Sequence, residues 1–351
     1  MNNKFLNACR ISVFIGLLAG AAWAQTTEPT GAGGSTTPPA LAQDPMAQRS
    51  LSGWLMRMHQ ASRRRAYIGT FVVSSGNHMA TSRIWHVCDG QQQMERVESL
   101  TGPPRSTFRH NDQVLTFVPQ SKVAVSERRE SLGLFPGLLK SGHAAMEQFY
   151  AIRQVGVERV AGFESDLVQI EPRDRLRFGY RIWSERKTGL VMKLQTLDFE
   201  GQVLEQAAFS ELEMDAPVDM RRLSRMMART EGYRIEKPEL LATTAAAEGW
   251  VFKNPVPGFE SMSCHRRQAR TGQETSGTVQ WVFSDGLASV SLFIEVYDRR
   301  RHVQEGLLTM GATHALAQRV NDRGGEWWLT AVGEVPARTL QAFAQGLERK
   351  K

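Results

Sequence analysis

Apolar and polar residues alternate with a period of two along much of the chain, a pattern that predicts antiparallel strands with one buried and one solvated face. The clearest example is Leu176–Ser184. Its apolar face carries Leu176, Phe178, Tyr180 and Ile182, and its polar face carries Arg175, Arg177 and Arg181. Turns such as Cys88-Asp89-Gly90 and Glu200-Gly201 are too short for helical crossovers. The pattern therefore predicts a purely antiparallel meander from Tyr67 to about Met214.

Two segments of the first half depart from this alternation. Leu51, Trp54, Leu55 and Met58 recur at helical spacing and predict an amphipathic helix ahead of the first strand. Residues 132–150 combine leucines with glycines and a proline, which predicts an apolar loop or a short helix. A long antiparallel sheet with one or two helices is the economical interpretation.

The strand pattern stops between Asp215 and Gly249. Prolines and a threonine- and alanine-rich run flank a basic stretch there, Arg221–Arg229. Such composition is typical of a segment between domains, mobile by default. We interpret residues 215–249 as a linker that contains a short helix.

A second, smaller unit begins near Trp250. Asp285-Gly286 is a strong hairpin signal between two apolar runs, and Glu326–Val332 forms a further strand. A helix that starts near Pro336 then closes the sheet. The predicted fold class is α+β, mainly antiparallel β, with a larger domain at 46–214, a linker at 215–249 and a small sheet-plus-helix domain at 250–351.

The beginning of the chain predicts export. A basic start with Lys4 and Arg10 precedes an apolar run, and Ala22-Trp23-Ala24 fits a small-x-small cleavage pattern. We therefore expect residues 1–24 to be a signal peptide and the mature protein to act in the periplasm. Residues 25–45 are rich in Thr, Gly, Pro and Ser, which predicts a disordered leader.

Charge and cysteine content narrow the partners only slightly. The formal charge is +7 and falls to +5 when the two basic residues of the signal peptide leave, which is weak support for nucleic acid. Cys88 and Cys264 remain in the mature chain without metal-type spacing. A disulfide between them and two unpaired thiols are equally open interpretations at this point.

Motifs of known catalytic chemistry are absent from the sequence: it holds no G-x-S-x-G elbow, H-E-x-x-H pair, Walker loop or G-x-G-x-x-G fingerprint. His86 and Cys88 share a strand face but lack neighbouring ligand types for a metal. The sequence therefore predicts a binding protein that is not an enzyme, with no metal and no cofactor.

Two groups of residues are candidates for binding. Aromatic residues spread over the strands of the first domain could line an acyl-chain cavity: Phe71, Trp85, Phe117, Phe178, Tyr180 and Trp183. The alternative is that they simply fill the core. The cluster Arg299, Arg300 and Arg301 could meet an anionic ligand or partner, and the alternative for these is an ordinary solvated surface.

Five short segments, read together, carry a family resemblance. They are Tyr67-Ile68-Gly69-Thr70-Phe71, Gly179-Tyr180-Arg181-Ile182-Trp183, Thr188-Gly189-Leu190-Val191-Met192-Lys193, Ser284-Asp285-Gly286-Leu287 and Val332-Gly333-Glu334-Val335-Pro336. In this order they resemble the RseB/MucB family, periplasmic negative regulators of the envelope-stress sigma factor. The resemblance runs from about Met46 to Leu347.

That resemblance implies a first domain similar to LolA and LolB, an unclosed β-barrel plugged by helices, and a smaller α/β domain. It implies binding to the periplasmic domain of an RseA/MucA-like anti-sigma factor, which is shielded from regulated proteolysis so that the sigma factor stays restrained. Release by lipopolysaccharide or a lipoprotein-derived lipid is implied as well. It supplies no catalytic residues, and it leaves homo-oligomerisation open.

A different class of function stays open on the same apolar strand faces: a periplasmic lipoprotein or lipid carrier of the LolA type. A carrier should co-purify with acyl chains, whereas a regulator should hold an anti-sigma peptide in a stable complex. A hydrolase of envelope glycans is a third interpretation, for which the sequence offers no paired acidic cleft.

Overall fold

The computed structural model describes residues 51–128, 147–237, 240–267, 277–322 and 325–350. The predicted signal peptide, the predicted leader and most of the predicted apolar loop at 132–150 lie outside these ranges. No helix in the described ranges is long and apolar enough to cross a membrane.

Strands make up most of the described chain. Those of the first sheet are β1 Tyr67–Ser75, β2 His78–Cys88, β3 Gln93–Ser99, β4 Ser106–His110, β5 Gln113–Val118, β6 Val123–Arg128, β7 Tyr150–Val160, β8 Phe163–Pro172, β9 Gly179–Glu185, β10 Val191–Leu197, β11 Val203–Met214 and β12 Arg234–Glu236. Those of the remaining sheets are β13 Leu240–Ala242, β14 Trp250–Phe252, β15 Glu260–Arg267, β16 Thr278–Ser284, β17 Ser289–Val296, β18 Gly306–Met310, β19 Thr313–Asp322, β20 Gly325–Gly333 and β21 Leu347–Arg349.

The first domain is one 12-stranded sheet in the order β12-β6-β5-β4-β3-β2-β1-β11-β10-β9-β8-β7. Its two edge strands, β12 and β7, do not pair with each other, so the sheet is unclosed. The predicted mainly antiparallel fold class is confirmed. All pairs of described strands between Tyr67 and Met214 are antiparallel, as predicted. The segment after β11 adds a parallel pair that was not predicted, because β12 returns to lie beside β6.

One face of this sheet is covered by the first helix, α1 (Leu51–Arg64), as the apolar periodicity predicts. Trp54, Leu55 and Met58 are buried in a cluster with Tyr180 and Ile182 of β9. Further along the same helix, Ala61 packs in a second cluster. We call the sheet face that contacts this helix the α1 face. Burying these side chains removes the apolar stripe of the helix from water, which is the main term that holds it there.

The segment predicted as a mobile linker is largely packed in the structure, and its middle forms the helix α2 (Met220–Ala228). Asp219 caps this helix by accepting a hydrogen bond from the backbone N–H of Arg222 at 3.1 Å. Leu223 and Met227, one turn apart, are buried against the opposite face of the first sheet. Because β12 then joins this first sheet and β13 joins the second, most of residues 215–249 is fixed to one domain or the other.

The second domain is a seven-stranded sheet in the order β13-β15-β16-β17-β20-β19-β18, with a separate β14–β21 pair. The terminal helix α3 (Ala337–Gly346) packs Leu340 and Phe343 into the core of this domain. Pro336 is the N-cap residue, one position before the helix proper. The predicted sheet closed by a terminal helix is therefore present.

Candidate functional site

The two domains meet at a buried ion pair. Arg177, in the connection between β8 and β9, donates from Nε to Oδ2 of Asp285 at 2.8 Å. Asp285 lies in the β16–β17 turn of the second domain, and neither side chain has any exposed surface. Removing two charges from water is costly, so such a pair is stable only when hydrogen bonds satisfy the remaining polar atoms.

Those hydrogen bonds are present on the carboxylate of Asp285. Its Oδ2 atom also accepts from the hydroxyl of Tyr150 at 2.7 Å, and Oδ1 accepts from the backbone N–H groups of Leu287 at 2.9 Å and Ala288 at 2.7 Å. Burial raises the pKa of Tyr150 well above its ordinary value, and the negative charge of Asp285 adds to this shift. The phenol therefore stays protonated and remains a donor to the carboxylate.

The guanidinium of Arg177 is equally surrounded. It donates to the backbone carbonyl of Pro257 and to the carboxylate of Asp174. Its Cζ atom lies 4.2 Å from the ring centroid of Phe149 and 5.1 Å from that of Phe259. The cation thus bridges residues of both domains, through charge, hydrogen bonds and aromatic faces together.

A helix end strengthens the same junction. The hydroxyl of Thr339, in α3, donates to the backbone carbonyl of Leu176 at 2.7 Å. Leu176 packs against the core of the second domain, and Leu287 enters the cluster under α1. Each domain therefore inserts an apolar side chain into the other, which keeps water away from the ion pair.

A second contact zone lies at the turn between β18 and β19. Gly311 approaches β1 so closely that a Cβ atom there would lie 1.8 Å from Oγ of Ser75. Nearby, the carboxylate of Glu205 on β11 accepts a hydrogen bond from the backbone of Ala312. Desolvation raises the pKa of Glu334 to about 7, and the negative charge of Glu205 raises it further. The negative charge of Glu205 on the first domain therefore acts on Glu334 of the second.

The apolar clusters under α1 form the candidate lipid site of the first domain. Phe71 and Tyr180 both lie on the α1 face, in neighbouring clusters. Nε1 of Trp54 and the hydroxyl of Tyr180 are buried without a hydrogen-bond partner in the described structure. Buried polar atoms normally have partners. A polar group of an amphiphile that entered here could supply the missing hydrogen bonds.

A row of polar side chains crosses the same face at one end. Tyr67, His86, Glu95 and Arg109 are neighbours on four successive strands, and all four are buried. Arg109 and Glu95 form an ion pair of 2.7 Å, and the ring of His86 stacks on Tyr67 with centroids 4.9 Å apart. Burial lowers the pKa of His86, whose Nδ1 lies 2.7 Å from the carbonyl oxygen of Arg65.

The six aromatic residues proposed as a lipid site do not come together. Only Phe71 and Tyr180 lie on the α1 face. Trp85 and Phe117 lie on the opposite face, under α2.

The other two aromatic candidates have neighbours of their own. Trp183 donates from Nε1 to Oε2 of Glu158 at 2.7 Å, and the ring of Phe178 lies 6.0 Å from that of His314. Only two of the six residues of the predicted lipid site therefore lie on the same face of the sheet.

The three arginines of the predicted cluster in the second domain differ in their contacts. Arg301 pairs with Glu295 at 2.6 Å, while the side chains of Arg299 and Arg300 are exposed.

Cys88 and Cys264 are both free thiols, on strands of different sheets, so the structure contains no disulfide between them. Burial raises the pKa of Cys264, which keeps this thiol protonated.

Sequence reasoning missed the residues of the junction. The alternation placed Arg177 on a solvated strand face, and this was wrong, because Arg177 precedes β9 and the second domain covers it completely. Asp285 was recognised only as a turn residue. An arginine among aromatic residues was the only local signal for this site.

Among the described residues, no group of three or more His, Cys, Asp or Glu side chains could hold a metal ion.

Comparison with known proteins agrees with this architecture. The family model for the MucB/RseB N-terminal domain matches residues 50–227, and that for the MucB/RseB C-terminal domain matches residues 244–348. The chain is 27% identical over 294 residues to the sigma factor AlgU regulatory protein MucB of Pseudomonas aeruginosa, covering 84% of this chain and 89% of that protein.

A second relative and a solved structure are similar over most of their length. The sigma-E factor regulatory protein RseB of Escherichia coli K12 is 21% identical over 297 residues, covering 84% of this chain and 89% of that protein. The MucB chain in the complex structure of Pseudomonas aeruginosa MucA/MucB is 25% identical. It superposes with a TM-score of 0.66, covering 86% of this chain and 99% of that one.

Proposed function

This chain belongs to the MucB/RseB family, and we propose that it binds the periplasmic region of a membrane anti-sigma factor. Bound in this way, it shields that segment from regulated proteolysis and so restrains the envelope-stress sigma factor. The protein acts in the periplasm as a regulator and carries out no reaction of its own. A lipid or lipopolysaccharide-type signal releases the shield.

The observation that carries this proposal is the match of both domains to relatives of one kind. The curated relatives are named as regulators of sigma factors, and a solved structure shows a 25% identical MucB bound to MucA. Both family models match in the same order along the chain, which supports a binding surface made by the two domains together. A lipid carrier is not favoured, because these relatives are named for regulation and not for transport.

The domain junction gives the shield a physical basis. With Arg177 and Asp285 paired, the two sheets are held in one relative orientation, so a peptide that contacts both domains meets a preorganised surface. Such preorganisation raises affinity because less conformational freedom is lost when the partner binds.

Release by a lipid requires that the lipid prefer a conformation to which the partner binds weakly. The clusters under α1 provide a coupled element, because Leu287 of the second domain packs in the same cluster as Trp54 and Tyr180. An acyl chain that displaced α1 from the α1 face would therefore also disturb the domain junction. This would couple the proposed lipid site energetically to the proposed partner surface.

Isothermal titration of the mature protein with the periplasmic segment of its own anti-sigma factor tests the proposal. We expect a dissociation constant in the micromolar range or tighter, and a weaker one when lipopolysaccharide is present. Absence of binding would contradict the regulator function. Unchanged affinity at saturating lipid would contradict only the release step.

The junction variant Arg177→Gln tests the two-domain binding surface separately from the fold of each domain. It should weaken partner binding if both domains are engaged together. Arg65→Gln is the matched control, because Arg65 forms an exposed ion pair with Asp215 inside the first domain. This control should bind the partner as the wild type does.

A further inference from the structure

The helix α2 presents an arginine-rich surface that the fold does not use. Arg221, Arg222 and Arg225 on the helix, and Arg229 just after it, are exposed. None of the four is in an ion pair within the described part of the chain. We call these four residues the α2 arginine face. The opposite side of the helix buries Leu223 and Met227, so the helix is fixed with its cations toward solvent.

These charges weaken the helix that carries them. The first turn contains no acidic residue, and Arg221 and Arg222 place two cations there, where the helix dipole favours anions. Arg221 and Arg225 are four residues apart, as are Arg225 and Arg229, so each pair also repels. A purely structural role would favour neutral or acidic residues at these positions, so an external anionic partner is the better explanation.

The chemistry of the exposed side indicates which partner fits. Besides its arginines, α2 exposes only Ser224 and Ala228. Protein–protein interfaces depend on buried aromatic or aliphatic anchors, and this side of the helix offers none. A layer of phosphodiester head groups requires only cations, and guanidinium groups bind phosphate oxygens in a bidentate manner.

We propose that the α2 arginine face docks the protein on the surface of an anionic phospholipid bilayer. The lipid head groups are laterally mobile and can each move to a guanidinium group, so no preformed pocket is needed. This contact is independent of anti-sigma binding, which the proposed function assigns to the two-domain surface. It would hold the protein at the membrane whether or not that partner is present.

Vesicle flotation of the mature full chain tests the proposal. We expect the wild type to bind vesicles that contain phosphatidylglycerol, to leave pure phosphatidylcholine vesicles unbound, and to lose binding at high salt. Each arginine near an anionic bilayer contributes roughly fivefold to partitioning, so Arg221→Gln with Arg222→Gln should weaken binding about 25-fold.

Arg153→Gln with Arg159→Gln is the matched control, since it removes the same charge from two exposed arginines of β7, at the other edge of the first sheet. It should bind vesicles like the wild type. An equal loss of vesicle binding in the control would mean that net charge alone explains the effect, and this would overturn the proposal. Absence of wild-type binding to phosphatidylglycerol vesicles would overturn it as well.

The thermal unfolding temperature distinguishes a misfolded variant from one that has lost only the α2 arginine face. Removing two cations from the first turn of α2 should leave the thermal unfolding temperature unchanged or slightly higher, so a folded variant that no longer floats supports the proposal. If that variant keeps vesicle binding and instead loses the anti-sigma segment, the arginine face contacts acidic protein and membrane docking is wrong.

Discussion

Nε of Arg177 lies 2.8 Å from Oδ2 of Asp285, and this pair joins the two domains with both side chains completely buried. We expect Arg177→Gln to lower the free energy of unfolding by about 3–5 kcal/mol, because it leaves the carboxylate buried without its cation. Urea denaturation measures this change. Arg65→Gln removes an exposed ion pair with Asp215 and should cost at most about 1 kcal/mol. Similar losses for the two variants would show that the buried pair contributes little.

Gly311 should be required for close packing of the domains. Gly311→Ala introduces a Cβ atom 1.8 Å from Oγ of Ser75, 3.0 Å from its Cβ and 3.2 Å from the carbonyl oxygen of Leu204. Rotation of the Ser75 hydroxyl relieves only the first contact, so we expect the turn to move away from the first sheet. Gly76→Ala is the matched control, because Gly76 has a similar positive φ of 57° but no atom within 4 Å of its Cβ position. Both variants carry backbone strain of about 1–2 kcal/mol.

Only Gly311→Ala should also enlarge the radius of gyration in small-angle scattering, because only this substitution separates the domains. Unfolding curves of the two variants then report the strain that they share. An unchanged radius for Gly311→Ala would mean that the contact at Ser75 adjusts locally.

Glu334 should make the protein less stable as the pH rises. The unfolded carboxyl ionises near 4.5, whereas in the folded protein its pKa is raised to about 7 by desolvation and by the charge of Glu205. The folded state therefore holds the proton more tightly, and its advantage is complete below pH 4.5 and lost as the pH passes through about 7. Glu334→Gln should raise the unfolding temperature at pH 8 and leave it nearly unchanged at pH 4.5. An equal effect at both pH values would contradict this.

His86 should make the protein less stable as the pH falls, the opposite of the effect of Glu334. Burial lowers its pKa in the folded state below 6.5, so under acidic conditions the unfolded chain takes up a proton that the folded chain does not. The free energy of unfolding should therefore fall as the pH decreases below about 6.5. His86→Gln should flatten this slope between pH 5 and pH 7, as measured by denaturant unfolding at each pH. A slope as steep as that of the wild type would assign acid sensitivity to other groups.

Several elements follow from local sequence alone. The spacing of Leu51, Trp54, Leu55 and Met58 predicted α1, and the structure places the helix at Leu51–Arg64. The Asp285-Gly286 hairpin and the terminal helix after Pro336 are present as well. These features depend on neighbours within a few residues, where periodicity and turn chemistry operate.

The candidate sites were predicted less well. Six aromatic residues were grouped by type, but the sheet has two faces and the second domain covers part of it, so Trp85 and Tyr180 end on opposite sides. The disulfide left open between Cys88 and Cys264 is absent. Strand periodicity gives the relative side of neighbouring residues, but it does not identify which element covers that side.

The sequence by itself determined the fold class, the two-domain order and the family, because alternation, turns and short motifs are local properties of the chain. Only the tertiary structure decided that Arg177 is buried, that the segment after Asp215 packs against the first sheet, and that α2 keeps its arginines in solvent. Burial depends on which distant segment arrives at a surface, and Arg177 and Asp285 are 108 residues apart. The buried ion pair is stable because groups from both domains complete its hydrogen bonds, and this condition exists only in the folded molecule.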